Sequence, residues 1–225
     1  MSHTKESIIE EIHRGIEDNP ATLYNQPFAF RFGHRQKLSE IAAEELLRCC
    51  REGKLVIPQS ENKDYFSADH ARIAIEFPGH IKEKRDARAM YRDKRVFHEI
   101  GAIIDFETPI TRRTKENIDL LAYNKEKKLL TLLEYKTAET LEPLLRCVLE
   151  VFTYSRRVNE TYLKESFHEP AGVALKADVR TAVFVHKDSR PYKHFIQAKD
   201  THIRALMREW KVGFFSIEED RLLEV

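Results

Sequence analysis

With 225 residues, a net charge of +1 and a third of its residues charged, the chain is large enough for one sizeable core, or one core with a smaller unit attached. No apolar run approaches bilayer-spanning length and the start Met1-Ser2-His3-Thr4-Lys5-Glu6 is polar, so a cytoplasmic protein with no membrane partner is expected. The near-neutral charge excludes a globally basic nucleic-acid binder and leaves only a local basic patch for that role. Cys49, Cys50 and Cys147 form neither a disulfide framework nor a zinc-binding spacing.

Residues 1–80 read as an α-rich N-terminal extension. Ile8, Ile9, Ile12 and Ile16 recur at helical spacing, and Asn19-Pro20 ends that helix. A second helix is expected over about 35–51, with Leu38, Ile41, Ala42, Leu46 and Leu47 inward and Gly53 just past its end. Between them, the aromatic run from Tyr24 to Phe32 exits through His34 and Arg35. It reads as a core-packing strand or loop with a charged exit in preference to a platform for bases. Residues 59–64 suit an exposed loop, and Phe77-Pro78-Gly79-His80 marks a turn.

From Ile81 a long helix free of proline and glycine is expected to about Ile100. Its spacing strings Arg88, Arg92, Arg95 and Glu99 along one stripe, able to meet phosphates or simply to form a solvated face. Gly101 ends it. The next strand, over 103–110, places Ile104, Phe106 and Ile110 on one face, with Asp105 and Glu107 on the other. The basic connection holding Arg112, Arg113 and Lys115 follows, a phosphate-contacting loop or a solvated turn.

Two apolar runs, Ile118 to Tyr123 and Leu129 to Lys136, flank the turn-like Asn124-Lys125-Glu126-Lys127-Lys128 and predict a β-hairpin. If Asn124 pairs with Leu129, Asp119 falls opposite Glu134. Lys136, two residues on, lies on the same face. Two carboxylates and an ammonium in an otherwise Leu-rich hairpin are costly to bury, because each loses solvent and the acids repel. A divalent cation removes most of that cost. Carboxylate oxygens, a main-chain carbonyl and water are the hard ligands Mg²⁺ prefers, and a neighbouring lysine offsets charge building on a phosphate oxygen. A structural Glu/Lys pair with a capping aspartate is the plainer alternative.

After Lys136, Thr140 is a cap for a helix over about 141–158 that tolerates Pro143 in its first turn and buries Leu141, Leu144, Leu145, Val148 and Phe152. Arg146, Glu150 and Tyr154 lie on its flank. Residues 159–177 read as an irregular connection, 179–185 as a strand covered on both faces, 191–209 as a helix and 212–217 as a last strand before an acidic tail. From residue 81 the order is helix, three strands, helix, strand, helix, strand.

An aspartate, a turn and Glu134-Tyr135-Lys136 ending the next strand resemble the PD-(D/E)XK nuclease superfamily, which includes many restriction endonucleases and Holliday-junction resolvases. The resemblance spans about 81–217 and implies an α/β fold with a restriction-endonuclease-like αβββαβ core, its mixed sheet flanked by helices. Residues 81–225 then form the nuclease-like domain. It implies a Mg²⁺-dependent deoxyribonuclease, with Mn²⁺ as substitute, leaving a 5′-phosphate and a 3′-hydroxyl. Asp119, Glu134 and the main-chain carbonyl of Tyr135 hold the metal, and Lys136 positions the attacking water. Glu99 matches a helix glutamate that assists through water or a second ion. Asp105 and Glu107 rank below Asp119, because the family's acid lies on the strand just before the one ending in Glu-x-Lys. Glu150 and Tyr154 match a supporting pair in spacing, although glutamine is usual at the first position, and Thr137 neighbours the site. DNA is the expected partner, with RNA and a homodimer left open. Two other classes stay open: a catalytically silent nucleic-acid-binding module on the same fold, and a protein-interaction domain.

Overall fold

The computed structural model describes residues 4–30, 36–76, 81–111, 116–199, 201–218 and 221–224. Helix α1 (Lys5–Asp18) buries Ile8 and Ile12 and is capped by Thr4, whose hydroxyl accepts the Ser7 N–H. Asn19 ends it and caps a 3-10 helix, Pro20–Asn25, through the Ala21 N–H. Short α2 (Pro27–Phe30), α3 (Gln36–Arg51), α4 (His70–Glu76) and α5 (Lys82–Arg92) complete the N-terminal part. Then come β1 (Val96–Phe97), β2 (Gly101–Pro109), β3 (Asn117–Asn124), β4 (Leu129–Lys136), α6 (Leu144–Arg157), α7 (Glu160–Ala171), β5 (Asp178–His186), α8 (Arg190–Gln197), α9 (His202–Trp210), β6 (Val212–Glu218) and β7 (Arg221–Glu224).

The chain is an α/β protein, and its described residues form a seven-stranded mixed sheet whose strands lie in chain order. Strands β1 to β4 pair antiparallel, β4–β5 and β5–β6 pair parallel, and β7 returns antiparallel to β6. Parallel neighbours need crossovers, which α6 with α7 and α8 with α9 supply. Along β5, Val183 and Val185 enter one core while Ala182 and Phe184 enter the other, so the strand is covered on both faces. The larger core joins the sheet to α6, α8 and α9. The smaller lies under α4 and α5 and holds Ala74, Ala87, Met90 and Phe106.

Ile8, Ile12, Leu23, Phe28 and Leu46 belong to the same core as Leu121, Leu132, Val148 and Val183. Helices α1 to α3 and the 3-10 helix thus build part of the main core. No described helix is long and apolar enough to cross a membrane.

Several expected elements change. The helix expected over 81–100 ends at Arg92, because Lys94 turns the chain at φ 49 and Val96–Phe97 pair with Gly101–Ala102. Gly101 itself is at φ 83 with a virtual Cβ 2.1 Å from the Tyr123 carbonyl oxygen, which only glycine accommodates. In β2 a bulge between Ile103 and Asp105 and a positive φ at Glu107 break the expected alternation. Phe106 enters the smaller core while Ile110 enters the larger. Helix α6 starts after Pro143, leaving Leu141 75% exposed where burial was expected. Residues 160–171 are helical, with Asn159 capping the Thr161 and Tyr162 N–H groups and Leu163 and Phe167 buried. The helix expected over 191–209 is two, α8 and α9.

Candidate functional site

The site lies where the β3–β4 hairpin opens. Pairing runs from Asn124↔Leu129 to Leu120↔Leu133, so the next step puts Asp119 across from Glu134. There the ladder stops, and β4 continues against β5 alone through Glu134↔Val183 and Lys136↔Val185. Asp119 Oδ2 accepts the Tyr135 N–H at 2.9 Å, replacing the missing ladder bond. A carboxylate is thereby fixed at the mouth of the hairpin by its own backbone.

Helix α6 covers this face. Glu142, just before it, and Arg146, Glu150 and Tyr154 along it recur every fourth residue and form one stripe. Lys136 Nζ lies 2.6 Å from Glu134 Oε1, 2.9 Å from Glu142 Oε2 and 3.6 Å from Glu83 Oε2 on α5. Arg146 Nε is 3.4 Å from Glu142 Oε2 and 3.7 Å from Glu150 Oε2. One carboxylate oxygen from each of Glu134, Glu142 and Glu150 lies within 4.8 Å of the others. Glu134 is 1% and Lys136 4% exposed, whereas Asp119, Glu83, Glu142 and Glu150 are partly exposed and form the rim.

Acids outnumber bases here, and the ionisation equilibria respond. Burial pushes the Asp119 carboxyl up to about 7, with Glu150 and Glu83 adding to the rise and Lys136 and the Tyr135 N–H opposing it. Glu134 is raised well above the carboxylate range by burial, Asp119 and Glu150, against Lys136. Burial disfavours the Lys136 ammonium, yet Glu134, Asp119, Glu150 and Glu142 outweigh it and hold its pKa well above the ordinary value. Glu83 rises through burial and Glu142, opposed by Lys136. Glu134 Oε2 and Glu150 Oε2 are buried with no hydrogen-bond partner among the described residues. These are oxygen donors with unmet electrostatic demand, which suits a hard divalent cation.

The structure brings together Asp119, Glu134, Lys136 and Glu150. Tyr154 is buried nearby, its hydroxyl pKa raised by burial, Glu134 and Glu150. Thr137 is buried beside Lys136, its carbonyl accepting the Thr140 N–H at 3.2 Å. Tyr135 turns its ring into the smaller core, and its hydroxyl is 3.0 Å from His186 Nε2.

Glu99 is not in this group. It lies in the turn between β1 and β2, its carbonyl accepting from Asn124 Nδ2 at 3.4 Å, at the far end of β3 from Asp119. The early end of α5 put it there, and Glu83, in the first turn of that helix, is the helix glutamate near Lys136. The expected stripe is cut short as well, since only Arg88 and Arg92 lie on α5. Arg88 Nε donates to Glu107 Oε2 at 2.9 Å, Arg92 Nε donates to Asp93 Oδ1 at 2.8 Å, and the Arg95 guanidinium lies over Phe97. Glu107, which the β2–β3 register sets across from Asp119, is instead engaged by Arg88 and Lys84, and Asp105 is buried against His70 Nδ1 and the Thr108 hydroxyl, both at 2.6 Å. Arg112, Arg113 and Lys115 lie outside the described residues.

Sequence reasoning missed Glu83 and Glu142. The four-residue spacing of Glu142, Arg146, Glu150 and Tyr154 was a readable signal, whereas nothing local marks Glu83. It also missed Tyr24, buried at the 3-10 helix, whose hydroxyl pKa is pushed up to about 12 by burial, Glu150, Glu116 and Glu134. Compared with protein-family models, curated proteins and solved structures, the chain matches none.

Proposed function

We propose that this chain is a Mg²⁺-dependent nuclease that hydrolyses phosphodiester bonds in DNA, on a restriction-endonuclease-like core. The observation that carries the reading is Glu134: a buried carboxylate with one oxygen on Lys136, the other without a hydrogen-bond partner among the described residues, and Asp119 across the hairpin. The element order supports it, since α5, the antiparallel β2–β3–β4, α6 and a parallel β5 follow the αβββαβ arrangement.

Asp119 and Glu134 would hold the cation, with Glu150 and Glu142 able to contribute oxygens. Glu83 takes the part first given to Glu99. A hard divalent ion supplies charge neutralisation at the phosphate and polarises a water. Lys136 is held protonated by its neighbours, so it acts as a donor: it orients water and offsets charge on the phosphate oxygens instead of accepting a proton. Nucleic acid reaches the site across the rim formed by Glu83, Glu142 and Asp119.

The depth of Glu134 and Lys136 favours a second reading, an ion network that stabilises a non-cleaving nucleic-acid-binding or protein-interaction domain. Incubating pure protein with Mn²⁺ or Mg²⁺ and duplex, branched and single-stranded DNA, and RNA, separates the two. Cleavage lost in folded Lys136→Ala and Asp119→Asn supports the nuclease. Binding without cleavage, weakening as salt rises, supports the silent module, and no retention even at low salt supports the interaction domain.

A further inference from the structure

A second constellation sits far from the acidic cluster in sequence, between α1 and α3. His13 and Glu17 are one turn apart on α1, and Glu45 and Cys49 are one turn apart on α3. Each i,i+4 pair shares a helix face. One donor atom from each of His13, Glu45 and Cys49 lies within 4.8 Å of the others, and the Cys49 thiol donates to Glu45 Oε1 at 3.6 Å. Cys49 is fully buried, the Glu45 side chain is 8% exposed and that of His13 39%. A cavity of about 430 Å³ opens beside them, lined by His13, Ile16, Glu17, Cys49 and Lys54.

We propose that His13, Glu45 and Cys49 form a zinc-type metal site clamping α1 to α3, with Glu17 or water from the adjoining cavity as fourth ligand. Imidazole, thiolate and carboxylate together suit a borderline-soft tetrahedral ion, unlike the oxygen-only donors at Asp119 and Glu134. Zinc–ligand bonds of about 2.0–2.3 Å set tetrahedral donors roughly 3.3–3.8 Å apart, so modest side-chain rotations close the site. On binding, the Cys49 S–H bond breaks, its proton leaves to solvent and the sulfur electron pair forms the bond to the metal. Arg48 holds the site's outer edge. Its Nε donates to Glu45 Oε2 at 3.0 Å and its Nη1 to Glu52 Oε1 at 2.8 Å, and both bonds persist when the ion takes the place of the contacts that Arg48 Nη2 makes with Glu45 Oε1 and His13 Nε2 and of the His13 Nε2 bond to Glu45 Oε1. Lys54 is engaged by Glu52 at 2.6 Å.

Cobalt(II) titration of the full-length, metal-stripped protein tests the site. A sulfur-to-cobalt charge-transfer band with the strong visible bands of four-coordinate geometry is expected, displaced by Zn²⁺, lost in Cys49→Ser and kept in Cys50→Ser and Cys147→Ser. Cobalt held by the carboxylates of the acidic cluster gives no sulfur band, and Cys147→Ser checks the thiol beside them, so failure here is distinct from failure of the nuclease reading. Should Cys49→Ser not fold, His13→Gln on its half-exposed ring decides, with an affinity loss of at least about tenfold expected. No sulfur band in the wild type, a band that survives Cys49→Ser, or unchanged affinity in His13→Gln overturns the proposal.

Discussion

Lys136 Nζ lies 2.6 Å from Glu134 Oε1, two residues before it on the same strand and face, so the cluster's central cation and its most buried acid are placed by one strand's geometry. Replacing the lysine with an apolar chain of similar length leaves several buried acids with less compensation. Lys136→Met is expected to lose about 3–5 kcal/mol of stability at neutral pH, the cost of breaking a buried ion pair from one side. Urea denaturation measures it, and a loss under about 1 kcal/mol means that solvent already screens the cluster.

Asp119 gives the pH dependence a sign. Burial holds its carboxyl at about 7 in the folded state, above the ordinary 3.8, so the folded state binds the extra proton, and this group's contribution falls as pH rises between those values. Glu134 acts in the same direction. Buried His194, depressed to about 4 from 6.5, works oppositely, so the informative quantity is a difference between variants. Relative to wild type, Asp119→Asn is expected to gain thermal stability from about pH 5 to about pH 8 without divalent cation. Mn²⁺ should raise the wild-type melting temperature more at the higher pH. A relative loss on the same path contradicts the assignment.

Glu83 and Glu99 separate position in space from position in sequence. Glu83→Gln is expected to lower Mn²⁺-dependent DNA cleavage by at least about tenfold, whereas Glu99→Gln, at the opposite end of β3, should leave it within about twofold. Parallel cleavage assays on the two variants decide it, and the reverse ranking restores the helix role to Glu99.

Helices α1 to α3 and the 3-10 helix are part of the main core, so truncating their inward residues affects the whole molecule. Leu23→Ala, at a fully buried position, is expected to cost about 2–5 kcal/mol while keeping a single urea transition. A separate early transition would identify an independently folding extension instead.

How far the fold was legible follows from where its information lies. The hairpin register could be read because a short charged turn between two apolar runs leaves few pairings, of which Asn124 with Leu129 closes the loop. The stop at Arg92 could not, since Lys94 turns the chain at positive φ without a glycine to mark it. The break between α8 and α9 carries neither glycine nor proline, and Pro170 in the last turn of α7 disguised a helix that Asn159 caps. Within the site, Asp119, Glu134 and Lys136 were readable because adjoining strands set their relation. Glu83 and Glu142 arrive by tertiary packing, and the fate of Arg88 depended on Glu107, held at a positive φ in β2 that nothing in its sequence marks.

Crystals soaked in Mn²⁺ and measured at a wavelength where manganese scatters anomalously give the most direct test of the central claim. The account predicts an anomalous peak bonded to carboxylate oxygens of Asp119 and Glu134, with Lys136 alongside. No peak there at saturating Mn²⁺, with Lys136 still bound to Glu134 and Glu142, would contradict it and identify the cluster as a structural ion network.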